Sequence, residues 1–286
     1  MSSKDGFQLK HAENKRAVLL FHGMTGSPFE MRQYAKYLYR AGYDVYCSCL
    51  PGHGGSISNL KKTRWQEWQN FAINDFDYLK SHYKEVYIAG LCMGALLALS
   101  VAEQDRDVAG IAGLSTTLYL DGWTIPWYRI FMPFGLYTIL KFFYDFPESE
   151  PYGIKNETVR KKISSLYHDQ SNATAFDCIP MTCILELMKF SKHIRKNIKK
   201  VKVPFIVIHS KEDDLTSIKS AKFVYNNALS EIKEYIELDN SYHLIVIDNE
   251  KKFVADKSIK FFNKLSKYNG QPIQSVEGEE ISSAKL

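Results

Sequence analysis

The run Val86-Tyr87-Ile88-Ala89-Gly90-Leu91-Cys92-Met93-Gly94-Ala95-Leu96-Leu97-Ala98 constrains this chain more than any other. It opens with β-branched and aromatic residues, passes through Gly-x-Cys-x-Gly, and continues as small and apolar residues at helical spacing. That order predicts a strand turning sharply into a helix, with Cys92 at the tip of the turn. Gly90 and Gly94 carry no Cβ, so strand and helix can close around that tip. The Cys92 side chain then stands clear of the sheet, and the first N–H groups of the helix point at whatever it meets. The same residues also suit a plain strand–helix turn with Cys92 as a small buried hydrophobe.

Segments on either side bear on that choice. Ala17-Val18-Leu19-Leu20-Phe21 is a continuous apolar run, as in a strand covered on both faces of a parallel sheet, and it ends in His22-Gly23-Met24-Thr25-Gly26. A glycine-containing turn there would hold the Met24 N–H still, and the Met93 N–H follows Cys92 directly. These two amides are the candidate donors to a negative oxygen. A helix is expected from Glu30 to Ala41, ended by Gly42. Tyr43 to Cys49 alternates like a strand, which would put Cys47 and Cys49 on one face as core filling. Leu50-Pro51-Gly52-His53-Gly54 follows, and Trp65 to Tyr83 reads as a long amphipathic helix with an aromatic stripe.

Three motifs in this order, His22-Gly23-x-Thr25-Gly26, Pro51-Gly52-His53-Gly54 and Gly90-x-Cys92-x-Gly94, resemble the monoacylglycerol lipase and small bacterial carboxylesterase branch of the α/β-hydrolases. The resemblance runs from about residue 15 to 266 and weakens in the middle. It implies a mostly parallel central sheet flanked by helices, with an inserted helical cap. It also implies an acid in the loop after the strand Val203–Ile208, where Asp213 fits best and Asp214 stays open. The general base would be His243, in Ser241-Tyr242-His243, where the family usually has Gly before the His. The order nucleophile, acid, histidine is that of α/β-hydrolases. His53 falls in a loop that is structural in that family. The family's usual tip residue is Ser, so Cys92 is a departure, either native or standing where a parental Ser was replaced.

About ninety residues separate the strand ending at Ser115 from the next core strand, too many for a connection and enough for a cap. The expected organisation is therefore a core of 1–114 and 201–266, a cap of 115–200, and a polar, disordered tail of 267–286. The first part of the insertion is dense in aromatic residues. Trp123, Trp127, Phe131 and Phe134 are candidates to line an apolar acyl pocket, and the segment could make weak contact with a membrane surface. Ile179 to Phe190 is one amphipathic helix candidate.

Composition narrows the rest. With 286 residues, 45% hydrophobic, the chain can bury one large core. A net charge of +5 without a basic stripe excludes nucleic acid as an expected partner. Five cysteines, an odd number, and a polar start (MSSKDGFQLKHAENK) fit a reducing, cytoplasmic setting. No Cys/His spacing suggests a metal, and no cofactor is expected. The expected function is hydrolysis of carboxylic esters or thioesters with an apolar acyl group, through an acyl-Cys92 intermediate. Two alternatives stay open: acyl transfer to an alcohol or thiol, and a non-catalytic ligand-binding member of the fold. The oligomeric state is not readable from the sequence.

Overall fold

The strand order places two loops side by side, and that neighbourhood makes the site. In the computed structural model, which describes residues 6–104, 106–125, 135–168, 176 and 178–267, the chain starts with β1 (Phe7–Leu9), β2 (Arg16–Phe21), α1 (Pro28–Arg40) and β3 (Asp44–Cys47). It continues through α2 (Ile57–Lys62), α3 (Trp65–His82), β4 (Glu85–Leu91), α4 (Met93–Ala102) and β5 (Gly110–Leu114). Next come β6 (Asp145–Pro147), α5 (Glu157–His168), β7 (Cys178–Pro180) and α6 (Met181–Asn197). The last elements are β8 (Phe205–Ser210), α7 (Lys219–Asn227), β9 (Lys233–Leu238) and α8 (Lys251–Leu265). The main sheet runs β1-β3-β2-β4-β5-β8-β9. Every pairing in it is parallel except that of β1 with β3. The chain steps outward from β2 to β3, then returns to place β4 on the other side of β2. In open parallel sheets, ligands bind at the carboxyl ends of the strands beside such a reversal. The loops after β2 and β4 both open there.

Burial follows from the residues. β2, β4, β5 and β8 are buried along their whole length, which explains the continuous apolar runs within them. All ten residues of α4 are buried, so this helix is apolar on every side and carries no amphipathic stripe. α1 buries only Pro28, Met31, Tyr34, Ala35 and Leu38, and Ser27 caps it by accepting a hydrogen bond from the Phe29 N–H at 3.3 Å.

Several expectations need adjusting. The strand read from Tyr43 to Cys49 stops at Cys47, so Cys49 lies in the loop beyond it. β1 and α2 are too short to leave a periodic pattern. The insertion holds, besides α5 and α6, a small antiparallel sheet of β6 and β7, each three residues long and each ending in proline. α6 is held to the core by polar contacts as well as packing. The Trp65 N–H donates to Glu186 Oε2 at 3.3 Å, and His193 Nε2 meets Glu103 Oε1 at 2.5 Å. Among the described residues no helix is long and apolar enough to cross a membrane.

Candidate active site

The turn after β4 gives Cys92 its place. Its backbone adopts φ 58° and ψ −116°, a conformation that few residues other than glycine tolerate. The glycines around it are a steric necessity. A Cβ on Gly90 would collide with the Gly94 carbonyl, and one on Gly94 with the Phe21 carbonyl of β2. Met93 is the first residue of α4, so its N–H is one of those that a helix leaves without an internal partner.

The loop after β2 closes on the same point. A Cβ on Gly23 would sit 3.6 Å from the Cys92 Cβ. His22 is fully buried and fixed as one tautomer. Its Nε2 accepts from the Leu50 N–H at 3.1 Å, so its Nδ1–H donates to the Gly23 carbonyl at 2.9 Å. In a trans peptide that turns the Met24 N–H to the side away from His22. Burial, helped by the neighbouring His53, holds the His22 imidazole well below its usual range, so this donor keeps its geometry across ordinary pH. His53 lies between the Pro51 and Met24 carbonyls, with Nδ1 3.1 Å from the former. Its ring braces this loop, far in sequence from the histidine on the other side of the site.

The chain brings Asp213 and His243 together although thirty positions separate them. The His243 Nδ1–H donates to Asp213 Oδ2 at 2.8 Å, with Oδ1 at 3.0 Å. Asp213 Oδ1 also accepts from the Leu215 and Thr216 N–H groups, both at 2.9 Å. Burial pushes the Asp213 carboxyl up, but the His243 cation and these hydrogen bonds outweigh it and hold the group below the usual carboxylate range. Asp214 takes a different part. Its Oδ1 accepts from the His243 backbone N–H at 3.2 Å, and burial raises its carboxyl above the usual range. Burial opposes a charge on His243 too, yet the Asp213 carboxylate and the Cys92 sulfur together hold the imidazole well above its ordinary value. The buried Nε2 makes no hydrogen bond of ordinary geometry, while Cys92 is near enough to bias its charge through a looser contact.

Further groups around this centre were not legible beforehand. Glu30, in the first turn of α1, accepts from the Gly23 N–H at 2.5 Å. Burial lifts its carboxyl to about 7, with Gly23 and His243 pulling back and Glu148 adding a smaller push. Glu148, just past β6, accepts from Thr25 Oγ1 at 3.0 Å, and burial raises it as well. Asp248 is fully buried and accepts four backbone N–H groups, each at 2.8 Å: those of Tyr242 and Asn249 beside the His243 loop, and those of Lys155 and Asn156 in the insertion. The Leu244 N–H donates to the Gly153 carbonyl at 2.8 Å, which completes that seam.

Of the aromatic candidates, Trp123 stands at the rim. Its indole N–H donates to the Glu212 carbonyl at 3.0 Å and its ring meets Tyr242 edge-on, leaving it 59% exposed. Trp127, Phe131 and Phe134 lie outside the described residues, as does the tail beyond Lys267. No group of three or more His, Cys, Asp or Glu side chains among the described residues is placed to hold a metal ion.

Comparison with known proteins bears on the family and the fold. Residues 12–250 match the Hydrolase_4 family, described as serine aminopeptidase, S33. The chain is similar to a thermostable monoacylglycerol lipase of Bacillus sp. (strain H-257), 27% identical over 255 residues, which cover 89% of this chain and 93% of that protein. A carboxylesterase of Bacillus subtilis (strain 168) is 23% identical over 251 residues, covering 87% of this chain and 93% of that one. Among solved structures, that of a lipolytic enzyme from work on the metagenome-derived LipS and LipT superposes with a TM-score of 0.76 at 25% identity, covering 92% of this chain and 99% of that one. The family match takes in the chain from before β2 to past β9, including the loop after β2, the turn at Cys92 and the residues Asp213 and His243, and by it the chain belongs to the Hydrolase_4 family as a carboxylesterase- and lipase-like α/β-hydrolase.

Proposed function

We propose that this protein hydrolyses carboxylic esters or thioesters with an apolar acyl group, through a covalent acyl-Cys92 intermediate. The observation that carries the reading is the imidazole of His243. It is bound by Asp213 on one nitrogen, and Cys92 biases its charge from the other side. Asp213 fixes the tautomer that leaves Nε2 free to take a proton. His243 accepts the thiol proton, and the Cys92 sulfur attacks the acyl carbon. The carbonyl oxygen becomes an oxyanion facing the Met24 and Met93 amides, each worth roughly 3 kcal/mol of barrier. The intermediate collapses, the carbon–oxygen bond of the ester breaks, and His243 returns its proton to the leaving alcohol. Water then gives a proton to His243, attacks the thioester, and releases the acid as the thiol is reprotonated.

The apolar acyl group follows from the insertion, which we read as a cap over Cys92. Exposed Ile139, Phe142 and Phe143 beside Lys141 on its surface suit weak contact with a lipid interface. The relatives named as a monoacylglycerol lipase and a carboxylesterase support an ester substrate. Acyl transfer is the second reading, favoured by the residue at position 92, because a thioester stays open to alcohols and thiols as well as water. The test is incubation with an activated acyl ester, with and without glycerol or a thiol, followed by mass spectrometry of protein and products. An acyl adduct on Cys92 that decays to free acid supports hydrolysis, and one that decays to a glycerol ester supports transfer. Turnover that survives Cys92→Ala would sink both.

A further inference from the structure

The turn after β5 touches both ends of the proposed reaction. Ser115 takes a left-handed backbone, φ 45°, and its N–H donates to the Ile208 carbonyl of β8 at 2.9 Å. Its Oγ–H donates to the His243 carbonyl at 2.7 Å. Two residues on, Thr117 Oγ1 lies 3.3 Å from Cys92 Sγ and 3.0 Å from the Ser115 carbonyl. Both side chains are buried.

A threonine hydroxyl has one proton and two lone pairs. Here it faces two acceptors of unequal and changing strength. A neutral thiol is a weak acceptor and can itself donate to the Thr117 oxygen, so the hydroxyl proton then belongs to the Ser115 carbonyl. A thiolate is a strong, charged acceptor in a site with little water, where such bonds count for more. We propose that Thr117 is a positioning residue that turns its hydroxyl proton from the Ser115 carbonyl to the Cys92 sulfur when the thiolate forms. The thiol proton goes to His243 Nε2, the electron pair stays on sulfur, and no further reactant is needed. Ser115 anchors the same turn to the backbone of the base, so nucleophile and base share one support.

This rests on Cys92 as the reacting group. The titratable groups around the Cys92–His243 pair are Asp213 and Asp214 beside His243, Glu30 on the Gly23 loop, and Glu148, which acts on His243 from the Thr25 side. None of them changes when Thr117 is replaced by Val, which keeps the shape and removes the hydroxyl. The experiment follows iodoacetamide alkylation of each cysteine against pH by peptide mass spectrometry, in the wild type, Thr117→Val, Thr117→Ser and, should Val fold poorly, Thr117→Ala. The expected result is a Cys92 midpoint about one pH unit higher in Thr117→Val, the loss of one hydrogen bond to a charged group, with Thr117→Ser restoring most of it. A residue that merely packs would lower the melting temperature and leave the midpoint in place. An unmoved Cys92 midpoint overturns the role of Thr117 alone. A wild-type Cys92 that iodoacetamide labels no faster than the other four thiols at neutral pH overturns both this role and the nucleophile.

Discussion

The two halves of the site are built differently. On one side, Asp213 and His243 form a closed arrangement, with one N–H shared between both carboxylate oxygens and two backbone N–H groups locking the carboxylate. On the other, Cys92 sits on a strained backbone, its sulfur touched by one threonine hydroxyl, and the facing Nε2 is without a hydrogen bond of ordinary geometry. One half is finished in the folded protein. The other keeps only loose contacts between its sulfur and the groups beside it. A nucleophile already satisfied by good hydrogen bonds would have to break them to react, whereas an acid–base pair works only if its orientation is set in advance.

The sharpest way to break this contrast is Cys92→Ala, which should abolish ester turnover, a loss of ~10⁶ as for other nucleophiles of this kind. A fall of less than tenfold would mean that the open half does no chemistry. Asp213→Asn should cost ~10⁴ in kcat with little change in KM, because the imidazole loses its tautomer, whereas Asp214→Asn, whose amide oxygen still accepts from the His243 backbone N–H, should cost far less. The same variant has a pH signature. The folded His243 titrates above its unfolded value, so the stability from its pairing is fully present below about pH 6.5 and lost as pH rises through the folded value. Asp213→Asn should therefore lower the melting temperature more at pH 6 than at pH 9, and an equal drop at both would refute the pairing.

Glu30→Gln probes the boundary between the halves. Its carboxyl titrates at about 7, beside the loop that would receive the oxyanion. Above that pH the wild type carries a negative charge there, so kcat/KM should fall through pH 7 by about tenfold, the size of one screened charge interaction. In Glu30→Gln that fall should vanish. Folding shows the complementary sign: a carboxyl raised on folding makes the wild type lose stability as pH climbs from 4.5 to about 7, and the variant should not. The smallest effect is expected from Trp123→Ala. The exposed ring at the rim should change KM by about threefold with kcat intact, since partly exposed rings contribute little; a large fall in kcat would place it inside the chemistry instead.

Much of this was readable in the chain. The Gly90-x-Cys92-x-Gly94 turn announced itself because steric collisions on both glycines force a local signature. Asp213 and His243 were named from their order after the elbow and from their loops, and Asp213, the better fit in sequence with Asp214 left open, is the one bonded to Nδ1. Glu30, Glu148, Thr117 and Ser115 left no such trace. An acid in the first turn of a helix is ordinary, and it becomes unusual only when Gly23 folds back onto it. Thr117 and Cys92 are neighbours because β5 lies beside β4, a pairing that no local pattern encodes. The short strands β6 and β7 escaped for the related reason that three residues cannot display a period.

Asp248 has a consequence for how such a chain could be remodelled. Its carboxylate ties residues 155 and 156 to the backbone on both sides of His243, so the far end of the insertion is riveted to the loop that carries this imidazole. A chimera that exchanged the whole segment between β5 and β8 would tear out those rivets and misalign the imidazole. One that grafted foreign sequence on either side, while keeping 153–156, could acquire a new clientele with the old engine still in register.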